Sequence, residues 1–135
     1  MARVLFVCLH NAGRSQMSQA LFERAAGGRH ETQSAGTEPG ERVHPNVVSA
    51  MREEGIDLSR RVPRVLTDEL ARWADVVITM GCGDACPVIP GKTYVDWDLR
   101  DPKDLTLDDV RAIRNDIESR IENLVKDLDL AAIRR

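Results

Sequence analysis

The strongest constraint on the fold of this chain lies in its first 26 residues. An apolar run, Val4–Val7, leads directly to Cys8, and a polar loop then leads into an amphipathic stretch that begins at Ser15. A short run of β-branched and aromatic residues is typical of a buried parallel strand, and apolar residues spaced three or four apart indicate a helix. The pattern predicts a strand over 3–8 that passes through one short loop into a helix over 15–26.

The loop between this strand and this helix carries the residues of an anion site. Backbone N–H groups in a loop that precedes a helix can surround an oxyanion, and their positive field favours a thiolate over a thiol. Arg14 adds a planar fork that suits a tetrahedral oxyanion, and Ser15 can start the helix or donate a hydrogen bond to the Cys8 thiolate. Asn11 can orient the loop through its side chain or simply tolerate left-handed backbone geometry. The candidate oxyanion-binding residues are Leu9, His10, Asn11, Ala12, Gly13 and Arg14.

Further strands are predicted over 32–35, 75–80 and 93–95, and further helices over 45–54, 67–73 and 106–130. This alternation predicts a parallel sheet with helices on both faces, and a flavodoxin-like strand order would make it an α/β sandwich of three layers. We expect a four-stranded parallel sheet of order 2-1-3-4, with helices on both faces, in one domain over residues 1–135. Ligands bind beyond the carboxyl ends of such strands, so Cys8 and Cys82, each at or just past a strand end, are predicted to face one crevice.

Composition narrows the class of protein. The chain has 135 residues and a net charge of −3, without a long Lys/Arg run, which argues against nucleic acid as the main partner. No apolar stretch approaches the length of a membrane span, and no leader pattern precedes Cys8. We therefore expect a cytoplasmic protein without a membrane partner, and separately we expect a monomer. Its three cysteines are then more suited to reactive or metal-binding roles than to structural disulfides.

The segment Cys8–Ser15 resembles the phosphate-binding loop of the low-molecular-weight protein tyrosine phosphatases and of the related thiol-coupled arsenate reductases. Ser34–Thr37 and Gly55–Leu58 lie where those proteins carry similar segments, and Asp101-Pro102 lies where the family has its general acid. The resemblance implies that Cys8 is the nucleophile, that Arg14 and the loop N–H groups bind the anion, that Ser15 contacts the thiolate and that Asp101 is the acid. An Asp-Pro pair on its own is also an ordinary turn starter.

Two further cysteines, Cys82 and Cys86, favour the reductase branch of this family. Cys8 would attack arsenate, Cys82 would attack Cys8 and release arsenite, and Cys86 would take over Cys82 as a second disulfide. Phosphate and sulfate are the expected substrate analogues. The expected reductant is external, either thioredoxin or a low-molecular-weight thiol such as mycothiol with a glutaredoxin-like protein, and no bound cofactor or metal is predicted.

Alternatives remain open at this point. A phosphatase needs only Cys8, and an oxyanion-binding or redox-sensing regulator would keep the loop without turnover. The three cysteines with one histidine could instead form a zinc site, although the step from Cys82 to Cys86 fits zinc only loosely. Gln19 and Arg64 stand where potassium-binding relatives carry acidic ligands, so no potassium is predicted. Lys103 replaces the tyrosine that follows Asp-Pro in the phosphatases, which leaves little wall for an aryl substrate.

Overall fold

The computed structural model describes residues 1–82 and 90–133. The helices and strands of these residues are, in chain order, β1 Arg3–Cys8, α1 Arg14–Ala26, β2 Glu31–Gly36, α2 Pro45–Arg52, α3 Asp68–Trp73, β3 Val76–Met80, β4 Thr93–Asp96 and α4 Leu107–Ile133. All of the predicted elements are present, and their bounds differ from the predicted ones by at most three residues.

The four strands form one parallel sheet of order β2-β1-β3-β4, as predicted. Cys8, the last residue of β1, is in register with Gly36 on one side and with Met80 on the other. Because parallel strands end at the same edge of a sheet, the Cys8 loop meets the turns after β2 and β3 at this edge. The predicted crevice at the carboxyl ends of the strands is therefore formed by these three segments.

Helices cover both faces of the sheet, and each face has its own core. The larger core joins β1 and β3 to α1, α2 and α4, and Phe6, Phe22 and Trp97 pack together in it with ring centroids within 6 Å of Phe6. The smaller core lies under α3, a helix of only six residues. The face covered by α1, α2 and α4 is therefore much more deeply packed than the face covered by α3.

Single residues with known end preferences mark one end of each of α1, α2 and α3. Gly27 takes a left-handed conformation, φ 55°, and its N–H bonds the carbonyl of Glu23, which ends α1. Pro45 occupies the first turn of α2, where the missing N–H needs no partner. The Thr67 side chain accepts a hydrogen bond from the N–H of Leu70 and caps α3. No helix in the described ranges combines the length and the apolar character needed to cross a membrane.

Gly36 is required by a close approach of two backbone segments. A Cβ at this position would lie 2.8 Å from the carbonyl oxygen of Leu9 and 2.9 Å from the N atom of Asn11. These are backbone atoms of the Cys8 loop, which cannot rotate away as a flexible side chain can. Gly36, at the end of β2, can therefore pack against the backbone of the Cys8 loop only because glycine has no side chain.

We predict that Gly36→Ala lowers the free energy of unfolding by about 1–3 kcal/mol, because the added methyl group forces the loop backbone to shift. Gly40→Ala is the matched control, since a Cβ there meets nothing closer than 3.7 Å, and should change stability by less than about 0.5 kcal/mol. Urea unfolding of both variants measures the difference. Equal stabilities would contradict the supporting role of Gly36.

Candidate active site

Cys8 is a buried free thiol that is hydrogen-bonded to two residues of its own loop and helix. Its side chain lies at the end of β1 with the residue only 2% exposed. The N–H of Asn11 donates to its Sγ at 3.2 Å, and Ser15 Oγ lies 2.9 Å from the same atom. The predicted contact between Ser15 and Cys8 is present. The alternative, that Ser15 caps the helix, is wrong: α1 begins one residue earlier, at Arg14, with Gly13 as its N-cap and no side-chain cap bond.

The loop around Cys8 is held by its carbonyl groups. Four of them accept bonds from backbone N–H groups of the segment 37–44: Cys8 from Thr37 at 3.3 Å, Leu9 from Glu38 at 2.8 Å, His10 from Gly40 at 2.9 Å and Ala12 from His44 at 2.9 Å. The C=O and N–H of one trans peptide point in opposite directions. Outward carbonyls therefore turn the N–H groups of the following residues inward, as the bond from Asn11 to Sγ illustrates, and this arrangement provides a cradle for an anion.

Asn11 fulfils both of its alternative roles. Its φ is 49°, in the left-handed region, and the residue is fully buried. Its side-chain amide donates to Ser15 Oγ at 2.7 Å and to Ser34 Oγ at 3.0 Å, while its carbonyl oxygen accepts from Gln16 Nε2 and from the backbone N–H of Arg64. The side chain thus links the loop, α1, β2 and the segment before α3.

Arg14 extends over the same site, and its guanidinium group is only partly hydrogen-bonded by the described residues. It is 6% exposed, its Nη1 donates to the carbonyl of Leu99 at 3.2 Å, and the guanidinium lies against Gly81 so closely that a Cβ there would be 2.9 Å from Cζ. Its Nε is buried and has no hydrogen-bond partner among the described residues. Buried donors are rarely left unpaired, so this N–H points to a ligand that accepts from it.

The Asp101-Pro102 loop closes one side of the site. Asp101 Oδ2 lies 3.8 Å from Arg14 Nη2, and the carboxylate is partly open to solvent. Pro102 packs on Gly13, where a Cβ would come within 2.6 Å of the proline ring. Asn46 Nδ2 donates to the carbonyls of Pro102 at 2.8 Å and Leu105 at 3.1 Å, and so anchors the loop to α2. The sequence analysis did not find Asn46, because nothing local to α2 indicates which loop it reaches.

A cavity of about 310 Å³ adjoins the mouth of the site and is lined by Gly40 and by five polar or charged residues: His10, Glu41, Arg42, His44 and Lys103. His10 Nδ1 is 2.9 Å from the carbonyl oxygen of Glu38. Burial lowers the pKa of His44, while the nearby Asp101 charge acts in the opposite direction. The five aromatic residues of the chain lie elsewhere: Phe6, Phe22 and Trp97 in the larger core, and Trp73 and Tyr94 against the smaller one.

Cys82 lies at the same sheet edge as Cys8 but belongs to the opposite face. It is two residues beyond Met80, the register partner of Cys8. The residue is 7% exposed and belongs to the core under α3, whereas Cys8 belongs to the larger core. Cys82 is disulfide-bonded and Cys8 is a free thiol. The predicted shared crevice is thus correct for the position in the sheet but not for the direction of the Cys82 side chain.

Cys86, the last of the predicted site residues, lies outside the described residues. The zinc alternative relied on it together with Cys8, Cys82 and a histidine. Within residues 1–82 and 90–133, no three or more His, Cys, Asp or Glu side chains are grouped closely enough to hold a metal ion.

The sequence of this chain is similar to that of known proteins over most of its length. Residues 3–132 match the model of the family described as low molecular weight phosphotyrosine protein phosphatase. A putative arsenate reductase of Halobacterium salinarum is 46% identical over 125 residues, which cover 88% of this chain and 87% of that protein.

Two solved structures extend the comparison. A thioredoxin-dependent arsenate reductase of Corynebacterium glutamicum has a TM-score of 0.82 at 43% identity, with 97% of this chain and 63% of that chain covered. An arginine phosphatase from Geobacillus stearothermophilus has a TM-score of 0.87 at 26% identity, with 100% of this chain and 97% of that chain covered. The fold is thus shared by proteins described as reductases and as phosphatases.

We predict that Arg14→Lys weakens the binding of inorganic phosphate, used as a tetrahedral oxyanion, by at least about tenfold, because an ammonium group cannot replace the planar fork. Arg64→Lys is the matched control. Its side chain bonds Gln33, and its backbone N–H, which holds Asn11, is kept. Isothermal titration calorimetry measures both affinities. Equal affinities of the Arg14→Lys variant and the unmodified protein would exclude Arg14 as the anion clamp.

Proposed function

The chain belongs to the low molecular weight phosphotyrosine protein phosphatase family, and we propose that within this family it is an arsenate reductase. The observation that carries the proposal is the position of a second cysteine, Cys82, two residues beyond the strand residue that pairs with Cys8. A phosphatase needs one thiol at this sheet edge, whereas a reductase needs a second thiol to accept the oxidation. The likeness to proteins described as arsenate reductases supports the same conclusion.

The surroundings of Cys8 favour a small oxyanion over an aryl phosphate. Arg14 Nε and the inward loop N–H groups suit a tetrahedral anion close to the thiol. The cavity at the mouth contains histidines and charged side chains, and all five aromatic residues are buried or half-buried in the two cores. An aryl group would therefore meet no Phe, Tyr or Trp side chain at the entrance.

In the proposed first step, the Cys8 thiolate attacks the arsenic atom of arsenate. A bond forms between Sγ and arsenic, and one oxygen leaves as water after it takes a proton from Asp101. Arg14 and the loop N–H groups hold the remaining oxygens, and Ser15 donates to Sγ while it is ionised. The Asn46 bonds keep the acid loop over Gly13, so that Asp101 stays beside the leaving oxygen.

In the second step, the Cys82 thiolate attacks Sγ of Cys8. The S–S bond forms, the S–As bond breaks, and its electron pair stays on arsenic, which leaves as arsenite. Cys86 then attacks Cys82 and returns Cys8 to its thiolate form. A free thiol at Cys8 together with a disulfide-bonded Cys82 is the state that this order leaves at its end. Because the Cys82 side chain belongs to the α3 side of the sheet, the second step requires the turn after β3 to move.

An external thiol must supply the two electrons of each turnover. We propose thioredoxin as the reductant, supported by the likeness to the thioredoxin-dependent enzyme of Corynebacterium glutamicum. A low-molecular-weight thiol such as mycothiol, with a glutaredoxin-like protein, is the alternative, in which the small thiol would resolve the adduct on Cys8. The proposed site of action is the cytoplasm, where such thiol systems keep cysteines reduced.

We predict that the protein sustains arsenate-dependent oxidation of NADPH by thioredoxin reductase and thioredoxin, and that Cys82→Ser and Cys86→Ser each abolish multiple turnover. Each variant interrupts the transfer of oxidation from Cys8 to the reductant. The coupled assay follows absorbance at 340 nm, and Cys8→Ser provides the inactive reference.

Other outcomes of this assay would assign a different function. Full turnover of both serine variants with a small thiol would replace the relay by the adduct route. Efficient hydrolysis of aryl phosphates without any reduction of arsenate would make the protein a phosphatase. Binding of arsenate without turnover in either assay would indicate a regulator.

We predict that Asp101→Asn lowers kcat for arsenate about 100-fold and leaves phosphate affinity within a few-fold, because the general acid acts on the leaving oxygen. The matched control is Asp98→Asn, an exposed aspartate just before the same loop, which should retain full activity. Steady-state kinetics with thioredoxin gives kcat and titration with phosphate gives the affinity. An unchanged kcat in Asp101→Asn would remove Asp101 from the mechanism.

A further inference from the structure

A series of four buried or half-buried polar side chains leads away from the Cys8 thiol to Gln19, which lies one turn beyond Ser15 on α1. The contacts run from Cys8 to Ser15 at 2.9 Å, from Ser15 to Asn11 at 2.7 Å, from Asn11 to Ser34 at 3.0 Å and from Ser34 to Gln19 at 2.5 Å. Gln19 is the outermost member and does not touch the thiol. Gln19 can therefore act on the thiol only through the other three side chains of this hydrogen-bonded series.

The direction of the hydrogen bonds follows from Asn11. Its carbonyl oxygen accepts from the backbone N–H of Arg64 at 2.9 Å. A backbone N–H can only donate, so the oxygen of the amide must face Arg64 and the NH₂ group must face the two serines. Gln16 Nε2, which also donates to the oxygen at 3.1 Å, holds the same orientation.

Each serine then has one proton left to give. The two hydrogens of Asn11 Nδ2 go to Ser15 Oγ and Ser34 Oγ, so both hydroxyl oxygens accept from Asn11. A hydroxyl that accepts from the amide directs its own hydrogen elsewhere. For Ser15 the available partner is Sγ of Cys8, and for Ser34 it is Oε1 of Gln19.

We propose that Gln19 is a positioning residue for the thiolate: by accepting the Ser34 proton, it keeps Asn11 donating to Ser15 and Ser15 donating to Cys8. Without this acceptor the Ser34 hydroxyl is free to rotate, and its hydrogen can turn toward the NH₂ group of Asn11. Two facing hydrogens repel, Asn11 is displaced from Ser15, and the Ser15 proton is no longer reserved for sulfur. The thiolate then loses part of its stabilisation.

This inference concerns the thiolate that the proposed function uses, but its test needs no arsenate. The reduced protein is treated with iodoacetamide at pH 6 and at pH 9, and carboxamidomethylation of Cys8 is followed on its own proteolytic peptide by mass spectrometry. We expect Gln19→Leu to lower the ratio of the pH 6 rate to the pH 9 rate about threefold. A variant that only changes access to the thiol alters both rates together and leaves the ratio unchanged.

Two further variants make the test specific. Gln33→Leu carries the same substitution on β2, where Gln33 bonds the Arg64 side chain and not the serines, and should keep the ratio of the unmodified protein. Ser34→Ala should lower the ratio, and Gln19→Leu should have no further effect in the Ser34→Ala background, because Gln19 acts through Ser34.

An unchanged ratio of the pH 6 rate to the pH 9 rate in Gln19→Leu would overturn the inference. So would a double variant with Ser34→Ala in which the two substitutions lower the ratio by the product of their separate effects. A protein with the expected ratios but without arsenate reduction would keep the role of Gln19 and reject the proposed function. A protein that reduces arsenate but shows no effect of Gln19→Leu would keep the proposed function and reject the role of Gln19.

Discussion

The active site depends on the hydrogen bonds that pull the carbonyl groups of the Cys8 loop outward. The segment 37–44 supplies the N–H groups for four of these bonds, so the segment that follows β2 determines the direction of the peptides around the thiol. Backbone N–H groups that face inward are fixed dipoles, and they need no reorganisation when an anion arrives. Gly36 belongs to the same arrangement, since its missing side chain lets β2 approach the loop backbone. The chemistry of Cys8 is therefore inseparable from the packing of β2 against β1.

Three further contacts place the anion-binding arginine and the acid loop around this site. Gly81 leaves room for the Arg14 guanidinium, Pro102 lies on Gly13, and Asn46 ties the acid loop to α2. Each contact joins elements that are distant in the sequence but meet at one edge of the sheet. The second cysteine stands apart from them: Cys82 reaches the same edge but belongs to the core beneath α3, the less deeply packed face. A short helix over a small core is the part of the fold that can rearrange with the smallest loss of buried surface.

Local patterns were sufficient for most of the fold. The apolar run before Cys8 and the spacing within α1 and α4 predict the elements, and the alternation of strands and helices predicts a parallel sheet. The flavodoxin-like order expected for that sheet is the one that the structure shows. The contact between Ser15 and Cys8 was also predictable, because strand end, loop and helix start are adjacent in the chain.

The interactions that eluded sequence reasoning are long-range ones. Asn46 looks like an ordinary helix residue until its distant partners are known, and for Gln19 the sequence indicated the absence of an acidic potassium ligand but not the bond from Ser34. Nothing in the sequence around Gly81 indicates its close contact with the Arg14 guanidinium. The direction of Cys82 could not be inferred either, since the alternation of side chains along β3 does not extend into the turn that follows it.

The most direct test of the account is to map the disulfide that forms when the Cys86→Ser protein, fully reduced, reacts once with arsenate. Peptide mass spectrometry under non-reducing conditions should find Cys8 joined to Cys82, with one arsenite released for each such disulfide. A Cys8 that remains an unpaired thiol, or that joins only an added small thiol while Cys82 stays free, would contradict the proposal that the Cys8 thiolate passes its oxidation to Cys82.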